Sequence, residues 1–154
     1  MLDQAGLAQL LAGHDAAISS VHFLDSDPAK LIGAARDSKV GRYLVVGGAG
    51  SLEVAPGVRL VTTPGFPAQY KAEAEKGAEF LDLLGKEKEL NWTFLSPSAL
   101  FTAGERTGKF RLGTDQLLTA SDGKSWVSFE DFAVALADEI ERPAHIRQRF
   151  TVGY

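Results

Sequence analysis

The run Arg42-Tyr43-Leu44-Val45-Val46-Gly47-Gly48-Ala49-Gly50-Ser51 decides the fold. An apolar, β-branched segment that ends in clustered glycines is how a buried parallel strand brings backbone to a crevice at its carboxyl end. On its amino side, Asp3 suits the N-cap of a short helix in which Leu7, Leu10 and Leu11 recur at helical spacing, with Gly13 as its stop. Residues 15–21 then read as a short buried strand with a polar end at Ser19 and Ser20. Ser26 or Asp27 caps a second helix that has Pro28 at its first position and Leu31, Ile32 and Ala35 as a packing face. Val40-Gly41 closes it, completing a right-handed strand, helix, strand unit.

On the carboxyl side, residues 52–67 carry Pro56, Gly57, Pro64, Gly65 and Pro67, breakers that forbid a long helix. This segment reads as an ordered functional loop, with a small strand over residues 58–61. The longest helix is expected over about residues 68–88, with Tyr70, Ala74, Gly77, Ala78, Leu81 and Leu84 on one stripe. Residues 91–95 form a third parallel strand that stops at Ser96-Pro97-Ser98. Residues 101–126 alternate short apolar pieces with glycines, which predicts turns and one or two small strands. Ser128 caps a further helix with Asp131 three residues on, Val127 staples onto Phe132, and Phe129, Phe132, Ala133, Leu136 and Ile140 form its buried face. Residues 149–154 are a last strand. The pattern is that of an α/β fold with a mostly parallel sheet, in one domain spanning residues 1–154.

Composition narrows the function. A chain of 154 residues with 45% hydrophobic content and a formal charge of −4 has one core's worth of apolar material and no basic excess for nucleic acid. It has no cysteine, and His14, His22 and His145 are not spaced as metal ligands. No apolar run is long enough to span a bilayer and residues 1–4 do not open a signal peptide, so a cytoplasmic location is expected.

Three polar strand ends, Ser19-Ser20, Gly47-Gly48 and Ser96-Pro97, are expected to converge on one sheet edge, where open α/β folds bind ligands. The glycines serve either as a tight turn or as a wall that lets a ligand reach the main chain. Gly48-Ala49-Gly50 opens like a dinucleotide fingerprint, but Glu53 stands where the third small residue belongs and Pro56-Gly57 breaks the chain. Tyr70 is the leading candidate acid, yet the lysine that lowers a catalytic tyrosine's pKa one turn later is replaced by Ala74. A packing or substrate-contacting role is therefore favoured for it. Ser51 is a candidate donor to a carbonyl or a plain turn residue. The basic run over residues 142–149 reads as a solvated face, and Trp92 and Trp126 as packing.

Gly13-His14-Asp15-Ala16, the 42–51 run with Leu52, Leu90-Asn91-Trp92-Thr93-Phe94-Leu95-Ser96-Pro97-Ser98-Ala99-Leu100-Phe101 and Phe110-Arg111-Leu112 together resemble a known group. It is the atypical short-chain dehydrogenase/reductases described as NADH-flavin reductases, close to the biliverdin and flavin reductases. The resemblance covers essentially the whole chain. It implies a Rossmann-like three-layer fold, N-terminally truncated in this chain, because such proteins open with a strand, a glycine-rich turn and a helix that hold the pyrophosphate. It also implies NAD(P)H as cofactor, FMN or FAD as a candidate substrate, Ser19, Ser20, Gly47, Gly48, Ser96 and Pro97 along the nicotinamide half of the site, and Ser51 and Tyr70 near the catalytic serine and tyrosine positions. Hydride transfer to an oriented flavin needs no tyrosine-lysine pair.

An exposed apolar edge at residues 16–21 is expected to be covered by another copy of the chain, giving a homo-oligomer. Three functions compete at this point: an NAD(P)H-dependent oxidoreductase acting on a small molecule, a non-catalytic dinucleotide sensor or scaffold, and an oligomeric module that binds no nucleotide.

Overall fold

The computed structural model describes residues 3–154. Helix α1, Gln4–Leu11, starts where the Asp3 carboxylate accepts the Gly6 N–H and ends before Gly13, whose positive φ of 81° suits a residue without a side chain. It buries none of its residues completely, and Leu10 is well exposed. Strand β1, Ala16–Ser19, is shorter than the 15–21 expected, because Ser20 and Val21 turn out at the rim. In helix α2, Pro28–Ser38, Asp27 is the cap and Pro28 fills the first turn. The helix ends earlier than Val40-Gly41: Lys39 takes the left-handed conformation, with φ 58°, and turns the chain into strand β2, Arg42–Val46.

The 52–67 loop contains a small hairpin, β3, Glu53–Ala55, with β4, Val58–Arg59, and a single 3-10 turn, Leu60–Thr62. Helix α3, Ala68–Leu84, stops at Gly85, short of the expected 88. Strand β5, Trp92–Pro97, runs through Ser96 and Pro97 rather than stopping before them. Three short strands follow: β6, Leu100–Thr102; β7, Arg111–Gly113; and β8, Trp126–Ser128. Helix α4, Phe129–Glu141, begins where Ser128 Oγ accepts the Asp131 N–H at 3.0 Å, and strand β9, Gln148–Gly153, closes the chain.

The main sheet has the order β1-β2-β5-β9-β7, with the first four strands parallel and β7 antiparallel at the edge. The inner strands β2, β5 and β9 are buried on both faces in their middles, so their apolar side chains alternate between two cores, whereas the edge strands β1 and β7 each leave one face open. Tyr43, Val45, Trp92 and Phe94 join Ile32 and Ala35 of α2 and Phe80 and Leu84 of α3 on one face. Leu44, Leu95, Phe150 and Val152 join Phe132, Ala135 and Leu136 of α4 on the other. The result is the three-layer α/β arrangement that the sequence implies. Phe129, expected on the buried face of α4, is 48% exposed, stacked edge-on to Phe101 at 4.5 Å. Its place at the helix start points it past the sheet rather than onto it.

Candidate functional site

Parallel pairing fixes where the strand ends lie. Ser19 pairs with Val45 and Val46 with Leu95, so Ser20, Gly47 and Ser96 stand along one rim of the sheet. The Gly47 N–H, just past β2, donates to the Leu95 carbonyl at 2.8 Å and carries the pairing to that rim.

Above the rim is a cavity of about 450 Å³ between the glycine turn, the end of the 52–67 loop and the first turns of α3. Phe23, Gly48, Phe66, Tyr70, Glu73 and Leu100 form its walls. The clustered glycines divide the two roles expected of them. Gly47 has no room for a side chain, because a Cβ there would overlap the Phe94 ring, and Gly50 packs against Ala74 of α3. Gly48 faces the cavity, and a Cβ there would meet only the Phe23 ring, at 3.9 Å. None of the three has a positive φ, so close approach rather than turn geometry selects Gly47 and Gly50, while Gly48 has room for a side chain.

Tyr70 stands at the mouth, 62% exposed. One turn along α3, Glu73 reaches back to the segment after β1: its two carboxylate oxygens accept the backbone N–H groups of Phe23 at 2.7 Å and Leu24 at 2.9 Å. The Phe23 ring is thereby wedged between the glycine turn and Gly77 of α3, and it packs on Phe80 and Phe94. On the far side of this segment a second cavity, about 480 Å³, is lined by Ser20, Val21, His22, Asp27, Lys30 and Leu31 among others.

The remaining candidate residues lie off the crevice. Ser19 is buried on the helix-packed face; burial pushes the neighbouring Tyr43 hydroxyl up to about 12, a rise that Ser19 only partly offsets. Ser51 and Ser96 are buried and turned toward Arg149, whose Nη1 donates to their hydroxyls at 3.3 and 3.5 Å. Pro97 is buried in β5. Arg149 itself, expected on a solvated face, is 7% exposed and forked onto Asp115 through Nε at 2.9 Å and Nη2 at 2.6 Å. Strand alternation over Gln148–Gly153 puts Arg149 on the face of Phe94, and that period was the available signal.

Two carboxylates are buried: Asp131, which the sequence marks only as the residue three on from the Ser128 cap, and Glu139, which the sequence does not single out. Asp131 accepts hydrogen bonds from Thr107 Oγ1, the Gly108 N–H and the Tyr154 hydroxyl, tying the 104–109 loop and the chain end to α4. Glu139 is held by Arg42 Nη2, the Ala144 and His145 N–H groups and the His145 ring.

A parallel sheet with helices on both faces and a glycine-lined crevice at the strand ends defines the Rossmann-like class of dinucleotide-binding proteins. The chain belongs to the NAD(P)H-binding family, whose pattern it matches over residues 1–143. It is 46% identical over 125 residues to the uncharacterized protein YwnB of Bacillus subtilis, a match that takes in 79% of this chain and 59% of YwnB. The chain therefore spans under two thirds of the length of that relative. Among solved structures it is similar to a candidate epimerase from Bacteroides thetaiotaomicron, with a TM-score of 0.93 and 39% identity over 98% of this chain and 72% of that one. It is also similar to a candidate NADH-flavin reductase from Streptococcus pneumoniae, with a TM-score of 0.84 and 38% identity over 95% of this chain and 74% of that one. Among the described residues no helix is long and apolar enough to cross a membrane.

Proposed function

We propose that the crevice carries hydride transfer from NAD(P)H to a flavin or a similar small, flat acceptor. The observation that carries this reading is the Gly48 wall. It leaves main chain open to a cavity of about 450 Å³ at the carboxyl ends of three parallel strands, a space that suits planar rings. The dihydronicotinamide, when bound, supplies two electrons and one hydrogen to the acceptor, and solvent at the open mouth completes it with a proton. The chain's own residues position the partners and exclude water from their contact face. Gly48 and Ala49 admit a ring edge-on to the backbone, Phe23 and Phe66 give it apolar faces, and Tyr70 covers the mouth. With Ala74 one turn beyond Tyr70, no lysine is set to assist the hydroxyl, so Tyr70 acts as a contact to the acceptor rather than as its acid. Gly48 holds the nicotinamide side with Gly47 beneath it, while Ser20 lies across the Phe23 segment, on the neighbouring cavity. Ser51, Ser96 and Pro97 support the rim through Arg149 and β5.

In this reading the chain works in the cytoplasm, where NAD(P)H is regenerated, and the outer edge of β1, with Ile18 52% exposed, is covered by a second copy. The test is NADPH oxidation by the purified chain with FMN as acceptor, followed by nicotinamide absorbance. Flavin-dependent oxidation supports the reading. NADPH binding without oxidation would reduce the chain to a dinucleotide sensor, and no binding would overturn both.

A further inference from the structure

Glu73 is the one charged side chain among the described residues that line the crevice. It is also fixed there. With one carboxylate oxygen on the Phe23 N–H and the other on the Leu24 N–H, it cannot swing out to water without releasing both amides. Each oxygen keeps a free lone pair for a further donor. The one ion-pair partner within 4.0 Å among the described residues, the His22 ring at 3.6 Å, is 84% exposed and lies on the side of the neighbouring cavity, so it offers little to offset the charge felt inside the crevice. Other walls, Phe23, Phe66 and Leu100 with the glycine turn, offer an entering anion no compensating cation.

We infer that Glu73 is the specificity-determining residue of the crevice. It selects an acceptor that is uncharged at the end that enters and presents an N–H or O–H to the carboxylate, and it rejects one that enters with an anionic group. An isoalloxazine ring entering by its imide edge meets these conditions, with any phosphate left outside the mouth. This deepens the hydride-transfer reading and rests on it for the identity of the acceptor site, while the selectivity is a property of binding alone.

Binding is measured by quenching of flavin fluorescence, without nicotinamide, for lumiflavin, its imide N-methyl derivative and its imide N-carboxymethyl derivative. The methyl derivative removes the donor, and the carboxymethyl derivative adds a negative charge at the same edge. The intact chain is expected to bind lumiflavin at least about tenfold more tightly than the carboxymethyl derivative, with the methyl derivative between them. In Glu73→Gln, whose side-chain oxygen still accepts one of the two amides, the preference should shrink to within about threefold. Glu75→Gln, on the outer face beside Lys71, serves as the surface control and keeps the full preference. Equal affinities in the intact chain, an unchanged ratio in Glu73→Gln, or no lumiflavin binding would each overturn the inference. Selective flavin binding without any NADPH oxidation would instead overturn hydride transfer and leave the role of Glu73 standing.

Discussion

Arg149 and Asp115 form an ion pair in which one partner is enclosed and the other open: Arg149 is 7% exposed, Asp115 58%, and two guanidinium nitrogens reach a single carboxylate oxygen. The same guanidinium touches Ser51 and Ser96, so one side chain ties the segment after the glycine turn to the end of β5 and to the 114–117 segment. Arg149→Ala would leave both hydroxyls and Asp115 without their donor. Because Asp115 can regain water, the cost should be below that of a fully buried pair, about 2 kcal/mol in urea unfolding. Arg149→Lys keeps the charge but loses the fork and should recover less than half of it.

The glycines of the turn should separate folding from binding. Gly47→Ala forces the Phe94 ring aside within a filled core, and a loss of about 2 kcal/mol in urea unfolding is expected. Gly48→Ala meets only Phe23, at 3.9 Å, so unfolding should change by less than about 0.5 kcal/mol. Its methyl group enters the crevice instead, and NADPH and flavin affinities should fall.

Tyr70→Phe and Tyr70→Ala test a contact against an acid. Steady-state kinetics of the flavin-dependent reaction should show Tyr70→Phe close to the unchanged chain. In Tyr70→Ala, KM for the acceptor should rise about tenfold while kcat stays within about threefold. A large drop in kcat for Tyr70→Phe would restore the hydroxyl as proton donor.

Acid should loosen the end of the molecule away from the crevice. Burial raises the Asp131 and Glu139 carboxyls, but hydrogen bonds outweigh it: Thr107, Tyr154 and Gly108 hold Asp131 below its usual 3.8, and His145, Arg42 and Ala144 hold Glu139 below its usual 4.5. A carboxyl depressed on folding contributes stability that is present above its unfolded value and is lost as pH falls through the folded one. Unfolding midpoints should therefore be flat down to pH ~5 and fall steeply below pH ~4. In Asp131→Asn the midpoint at neutral pH should drop and the acid slope should become shallower.

The β1 edge gives a prediction about assembly. Ile18 is half exposed on a strand whose outer side is unpaired among the described residues, a surface that invites strand addition. The 154-residue chain should sediment as an oligomer, and Ile18→Lys should shift it toward the monomer. A monomeric chain at micromolar concentration would remove the second copy from the account.

The strand, helix, strand core was legible in the sequence because its signals are local: the β-branched run before Gly47, the Asp27-Pro28 start and the Ser128 cap each act within four residues. Boundaries were blurred where tertiary contacts decide them, as at Lys39, which takes over the left-handed stop, and in β5, which pairs with β9 through Pro97. The rim was legible because parallel strands end together. Which hydroxyls line the crevice was not, because the positions of Ser51 and Ser96 depend on Arg149, about one hundred residues from Ser51 in the chain and brought near only by the register of β9. Glu73 was missed for the same reason: its partners, Phe23 and Leu24, lie fifty and forty-nine residues away.

The central claim is that one crevice at the strand ends receives both nicotinamide and acceptor. Its most direct measurement is an amide chemical-shift titration of the isotope-labelled chain with NADPH and then with FMN. The account predicts shifts concentrated at Phe23, Gly47, Gly48, Phe66 and Tyr70. Shifts confined to the hollow beside Val54, Pro56 and Leu117, or no shifts at all, would contradict it.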